Sequence, residues 1–308
     1  MRDRHGQPFK EGLKTTGPGR ARHGPPMTGG NEMADVVVIT GLADGMGREV
    51  AKMLAADGDS IAGFDVDGEG ISTLREELAK TSGKHLLDTI DITDRAAVKA
   101  FCAKVLEEYD HVDTVLSNVG IGFFSPFEEV DLEKALQCLE INVIGAATVL
   151  QSFIPSMRER GKGKLIAMSS LVGRIPFPFE SIYSASKFAV TGMLMSLRYE
   201  VEPFGLRVAL IEPAQVSTTF AAKIHQLPPE GSPYRDRARR FIDRDNELIK
   251  TAPDPVFAAK KIVKVVRSEK PSLYNSIDTM SGVFQFLNRI LPTRVRDGIL
   301  INHMDIKV

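Results

Sequence analysis

Cysteine is nearly absent from this chain: Cys102 and Cys138 are the only two thiols in 308 residues, and both sit inside helix-like patterns. A disulfide framework is therefore not expected, a reducing compartment is favoured, and the two side chains read as small buried apolar groups. An excess of one charge is lacking too. The 39 basic and 40 acidic residues leave a formal net charge of -1, which offers no general attraction to nucleic acid or an anionic surface. The six histidines, at 5, 23, 85, 111, 225 and 303, are scattered with no second ligand type at metal spacing, so no metal site is expected. No run of about 18 uninterrupted apolar residues occurs, so a membrane span is not expected either.

Residues 1–32 are rich in Gly, Pro and Arg and hold no apolar core of a secretory signal, which predicts a disordered extension. It reads either as a targeting segment or as the product of an upstream start, with Met27 or Met33 as initiator. Residues 33–308 read as one domain, and a cytoplasmic location is expected.

What is present is alternation. DVVVIT predicts a short buried strand, GLADGMG a glycine loop, and GREVAKMLAADG a helix with apolar residues at helical spacing. SIAGFD, HLLDTI, VDTVLS, KLIAMS and LRVALI read as further strands, with helices around 94–108, 131–160 and 183–204. Strands alternating with helices predict an α/β fold of Rossmann type, a doubly wound parallel sheet covered on both faces. A glycine loop between a strand and a helix lets backbone approach a pyrophosphate, with the helix N-terminus aimed at it. In TGLADGMG the loop residues are Gly41, Asp44, Gly45, Met46 and Gly47. Asp65, at the end of the second strand, can accept hydrogen bonds from an adenosine ribose. A 2'-phosphate would meet like charge at Asp65 and Asp44, so NAD is favoured over NADP. The competing role for Asp65 is that of a turn residue before Asp67 and Gly68.

Tyr183 and Lys187 are four residues apart, on one helical face. A free phenol titrates near ~10, and a lysine charge at ~5 Å with an effective dielectric of ~20 contributes roughly 3 kcal/mol, about two pKa units. That predicts a phenol lowered into the range of a useful acid or base. Ser170, thirteen positions earlier at the end of KLIAMS, can donate a hydrogen bond to a substrate oxygen.

Together TGLADGMG, SNVG, the Asn142 of INVIG, Ser170 and YSASK, in this order and spacing over about residues 35–220, resemble the short-chain dehydrogenase/reductase family. LQSFIPSMRERGKGKLI, YSASKFAVTGMLMSLRYEVEPFGLRVALIEP and VSTTF resemble its 17β-hydroxysteroid and retinol dehydrogenase branch. The resemblance implies a catalytic tetrad of Asn142, Ser170, Tyr183 and Lys187. Lys187 would also bind the nicotinamide ribose, and Asn142 would hold a water that relays protons to it. It further implies Asn118 and Gly120 beside the adenosine ribose, Asp91 and Ile92 bordering the adenine, and Pro213, Val216 and Thr218 at the carboxamide end. Ser117, Val119 and Ala214 stand where the family usually has Asn, Ala and Gly, small changes near the cofactor that spare the reacting groups.

The implied activity is NAD-dependent interconversion of a hydroxyl and a carbonyl on a steroid, retinoid or other lipid-like molecule. The alternatives are a ketoreductase of lipid or polyketide synthesis and a non-catalytic dinucleotide-binding regulator. A homodimer or homotetramer through helices 131–160 and 183–204 is implied as well. Ile175, Phe177 and Phe179 would line a lipophilic pocket or pack locally. Residues 220–254 read as a lid over the crevice or a solvated excursion. In the C-terminal extension, 276–308, Val283, Phe284, Leu287 and Ile290 at helical spacing read as core or subunit interface, or as a stripe resting on a membrane.

Overall fold

The computed structural model describes residues 34–217 and 226–307. The expected N-terminal extension and Thr218 lie outside them. Among the described residues seven strands form one parallel sheet: β1 (Val36–Thr40), β2 (Ser60–Asp65), β3 (Leu86–Thr89), β4 (Thr114–Ser117), β5 (Gly163–Met168), β6 (Leu206–Glu212) and β7 (Tyr274–Ser276), in the order β3-β2-β1-β4-β5-β6-β7. The first six match the predicted segments. β7 was not read from the sequence, because Tyr-Asn-Ser is too short and polar to carry a strand pattern. Its place comes from parallel pairing with β6, Leu210 opposite Tyr274 and Glu212 opposite Ser276.

Helices cover both faces, so every residue of β1 is buried and the strand needs no polar alternation. On one side α1 (Gly45–Ala56), α2 (Gly68–Leu78) and α8 (Pro255–Arg267) bury Leu54, Leu74 and Ile262 against Val37 and Ile39. On the other, α3 (Arg95–Tyr109), α5 (Ala146–Arg160) and α6 (Ser181–Val201) bury Phe101, Phe153 and Leu194 against Val38 and Val115. Aspartates start several of these helices by accepting backbone N–H groups: Asp44 for α1, Asp67 for α2 and Asp94 for α3. Short α4 (Leu132–Leu139) runs into α5 through one wide turn, Glu140–Gly145, of π-helical geometry. The sequence pattern showed only one helix over 131–160, and this turn is the departure from it. The whole stretch Leu132–Arg160 is long and apolar enough to cross a bilayer by composition. Its Val149, Leu150 and Phe153 are buried in the core beside the sheet, while Leu132 and Leu136 are exposed.

A third cluster lies at the carboxyl end of the sheet. There α7 (Arg235–Lys250) sets Ala238, Phe241 and Ile242 against Phe124, Phe179, Met304 and Ile306. Two C-terminal helices, α9 (Thr279–Ile290) and α10 (Thr293–His303), complete the chain. Strand order reverses between β1 and β4, and at such a switch point the carboxyl ends of the strands open a crevice.

Candidate active site

That crevice holds a cleft of about 750 Å³. Of the residues singled out for a dinucleotide, Gly41, Asp44, Gly45, Met46, Asp65, Asp91, Ile92, Asn118, Gly120, Tyr183, Lys187, Pro213 and Val216 all line it. Gly47 does not line it but permits it. A Cβ on Gly47 would stand 2.1 Å from the Gly41 carbonyl oxygen and 2.6 Å from Asn118 Nδ2, so the loop can fold this tightly only without one. Gly41 itself has a φ of +69°. Asn118 Nδ2 donates to the carbonyls of Thr40 and Gly41 at 3.1 and 2.8 Å, binding the end of β4 to the loop. Asp65 Oδ2 accepts from the Ala43 N–H at 3.1 Å, and Oδ1 from the Asp67 N–H at 3.1 Å. The glycine cradle and the acidic rim fit a nicotinamide dinucleotide.

The four residues of the expected tetrad come together at one end of the cleft. Asn142 sits in the wide turn, 1% exposed, where its Oδ1 accepts from the Ile121 N–H at 2.7 Å. Its Nδ2 donates to the Ile121 carbonyl at 2.8 Å and to Ser186 Oγ at 2.9 Å. Ser186 in turn donates to the Tyr183 carbonyl at 2.7 Å, so the amide is tied to the first turns of α6. Lys187 is 3% exposed and its Nζ donates to the Met168 carbonyl at 3.0 Å. A Cβ on Gly120 would come within 3.1 Å of that Nζ, so the bare backbone leaves room beside the ammonium. Ser170 follows β5 and lines the cleft together with the Tyr183 phenol, whose pKa it lowers. The neighbouring Ser169 also lines the cleft, but its hydroxyl is engaged 2.8 Å from Thr191 Oγ1. Of the two serines only Ser170 is placed for chemistry.

The electrostatics correct one expectation. Lys187 Nζ lies 5.7 Å from the centre of the Tyr183 ring, near the assumed separation, yet the phenol is pushed up rather than down. Burial dominates, and the Glu180 carboxyl adds to it. Burial also brings the Lys187 ammonium down to about 8. Ser170 beside the phenol acts in the lowering direction but is outweighed by burial. A bound cofactor's positive ring would act in the same direction as Ser170.

Beyond the phenol opens a second, mostly apolar cavity of about 630 Å³, which shares Ser170, Tyr183, Ala214 and Val216 with the cleft. Only Phe177 of the three expected apolar residues reaches it. Phe179 is 9% exposed and packs against Phe124 and Phe241 at ring separations of 5.6 and 5.9 Å, and Ile175 turns towards α9 and α10. From the segment 220–254, of which 220–225 lie outside the described residues, Asp245, Leu248 and Ile249 of α7 line this cavity. The C-terminal stripe divides: Phe284 lines the cavity, Leu287 faces a small void behind it, and Val283 and Ile290 are exposed. Sequence reasoning missed Glu180, Gln215, Asp245 and His303, all in the cavity wall. Asp245 left a trace, since it continues the apolar face Ala238, Phe241, Ile242 at helical spacing.

Comparison with known proteins agrees with this fold. The family model for short chain dehydrogenases matches residues 35–228. Dehydrogenase/reductase SDR family member 7B of Danio rerio is 32% identical over 241 residues, covering 76% of this chain and 75% of the relative. The 17-beta-hydroxysteroid dehydrogenase type 1 of Homo sapiens is 31% identical over 258 residues, covering 77% of this chain and 76% of the relative. The solved structure of a short-chain dehydrogenase from Streptomyces avermitilis superposes with a TM-score of 0.74 at 27% identity, over 87% of this chain and 96% of that one. Nicotinamide dinucleotides are the cofactors of this fold, and this chain belongs to the short-chain dehydrogenase family of oxidoreductases, near its steroid and retinol dehydrogenase branch.

Proposed function

We propose that the protein is an NAD-dependent dehydrogenase that interconverts a hydroxyl and a carbonyl on a lipophilic molecule. The observation that carries this is the junction of the two cavities: a dinucleotide cleft and an apolar cavity meet at Ser170 and Tyr183. A bound dinucleotide supplies the acceptor or donor of hydride. Tyr183 takes the hydroxyl proton at its phenolic oxygen during oxidation and returns it during reduction. Ser170 donates a hydrogen bond to the substrate oxygen as charge moves onto it. Lys187 and Asn142 form the polar floor from which that proton reaches solvent, Asn142 being held rigid by its bonds to Ile121 and Ser186.

Preference for NAD is supported by charge. Asp44, Asp65, Asp67 and Asp91 line the cleft, and among its described lining residues Lys187, at the far end, is the only cation. The base nearest the loop, Arg48, is spent on the Ala43 and Gly70 carbonyls at 2.8 and 3.0 Å and on Glu77 at 3.0 Å. Exposed Leu132, Leu136, Phe188 and Tyr199 on α4 and α6 support a homodimer through these helices. Two free buried cysteines fit a reducing, cytoplasmic setting.

The test is NADH absorbance on mixing protein and NAD with steroid, retinoid, long-chain and aromatic alcohols. Signal from a lipophilic class, lower with NADP, is the expected result. NAD binding with no turnover across the panel would favour the non-catalytic alternative.

A further inference from the structure

One carboxyl in the substrate cavity has no part in the chemistry described above. Glu180 occupies the position before α6 where a short polar side chain normally accepts the helix's free N–H groups, yet its carboxyl makes no such bond. It lines the apolar cavity beside Tyr183. Asp245 lines the same cavity from α7, 8% exposed, and accepts from Gln215 Nε2 on Oδ1. No hydrogen bond or ion pair to a protein group engages the Glu180 carboxyl among the described residues.

A cavity built only for a hydrocarbon gains nothing from an acid, because desolvating a carboxyl costs free energy that apolar contact does not return. We propose that Glu180 selects substrates carrying a protonated amine near the reacting carbon, an amino alcohol or amino ketone with a lipophilic remainder, and that Asp245 strengthens the negative field that receives it. This rests on the reading of the cavity as the substrate site. The ammonium supplies three hydrogen-bond donors to a wall that offers carboxyl and amide oxygens, while the rest of the substrate lies against Phe177, Leu248 and Phe284. The N-terminus of α6 opposes a cation with a partial positive charge of roughly one half, which a carboxylate in the same cavity outweighs.

Burial and the nearby Asp245 push the Glu180 carboxyl up to about 8, so at pH 7 the free protein holds it mostly protonated. An arriving ammonium favours the ionised form, and binding releases that proton to solvent. The other ionisable groups in the wall are Tyr183 of α6, Asp245 of α7, Lys261 of α8, Asp278 before α9 and His303 of α10. His303 is held below its ordinary value by burial and Arg244, so it is neutral at pH 7 and does not compete as a cation.

The experiment titrates NAD-loaded protein with n-octylammonium and n-octanol by calorimetry at pH 7 in two buffers of different ionisation enthalpy. It then compares kcat/KM for a 3-hydroxyalkane and its 2-amino counterpart. Octylammonium is expected to bind about tenfold tighter than octanol or better and to release close to one proton, a release that fades above pH 9 where Glu180 is already ionised. Glu180→Gln, which keeps the shape, is expected to remove the proton release and to lower the amino-to-neutral ratio of kcat/KM by about tenfold. Equal binding of the two probes, or a preference that survives in Glu180→Gln, would overturn the inference. Oxidation of the neutral alcohol without amine preference sinks this inference alone. Tight octylammonium binding without oxidation of either alcohol sinks the dehydrogenase instead.

Discussion

The dinucleotide cleft and the apolar cavity meet at one tyrosine but are built in different ways. The cleft is made mainly of short segments that follow directly on β1 to β6, with Tyr183 and Lys187 added from α6, so its shape is set largely by local stretches such as TGLADGMG. The cavity is walled by side chains from α6, α7, α8, α9 and α10, elements that succeed one another over more than a hundred residues. A cleft of backbone recognises what is common to a class of cofactors. A cavity of side chains can change its occupant without disturbing the sheet.

The largest effect that can break this comparison comes from the cleft. Gly47→Ala places a methyl within 2.1 Å of the Gly41 carbonyl oxygen, so NAD affinity is expected to fall by about a hundredfold or more with a clear loss of thermal stability. Calorimetric titration of NAD and a melting curve read both. Unchanged binding would mean that the loop does not close on the dinucleotide.

Next comes the cavity. Phe241 is fully buried between Phe124, Phe177 and Phe179, and Phe241→Ala is expected to cost about 3–5 kcal/mol of stability. If the two regions are separable, KM for a lipophilic alcohol rises while the NAD dissociation constant stays within about twofold. A matching loss of NAD affinity would show that they are one unit. The smallest effect sharpens the cleft itself. Asp65→Ala combined with Val66→Arg removes the acid and places a base on the exposed neighbour, and the NAD-to-NADP ratio of kcat/KM should fall by about tenfold or more. A ratio that stays put would remove Asp65 from ribose recognition.

The same division explains what was legible in the sequence. Six strands, the glycine loop and Asp65 were readable from periodicity and short spacing, and the Ser170, Tyr183, Lys187 set from motifs whose order and intervals resemble those of the family. The wide turn that places Asn142 was not, since the stretch 131–160 is apolar enough on both sides of Glu140–Gly145 to read as one continuous helix. The direction of the Tyr183 shift was misjudged because a pairwise charge estimate carries no burial. Glu180 was overlooked although it stands three residues before Tyr183. Its importance comes from the helices folded over it, and those contacts join residues far apart in the chain. Asp245 alone among the missed wall residues could have been caught, as an acid on an apolar helix face.

The central claim is that a proton leaves through Tyr183 in the step that carries hydride from one cavity to the other. The most direct measurement uses an accepted alcohol deuterated at its carbinol carbon, following deuterium into the reduced dinucleotide for the wild type and for Tyr183→Phe. Wild type is expected to transfer the label. Tyr183→Phe should bind NAD within about threefold of wild type while transferring label at least about a thousandfold more slowly, the cost of losing the positioned acid/base and its hydrogen bond. Transfer by the variant within about tenfold of wild type would contradict the role given to Tyr183 and the junction built around it.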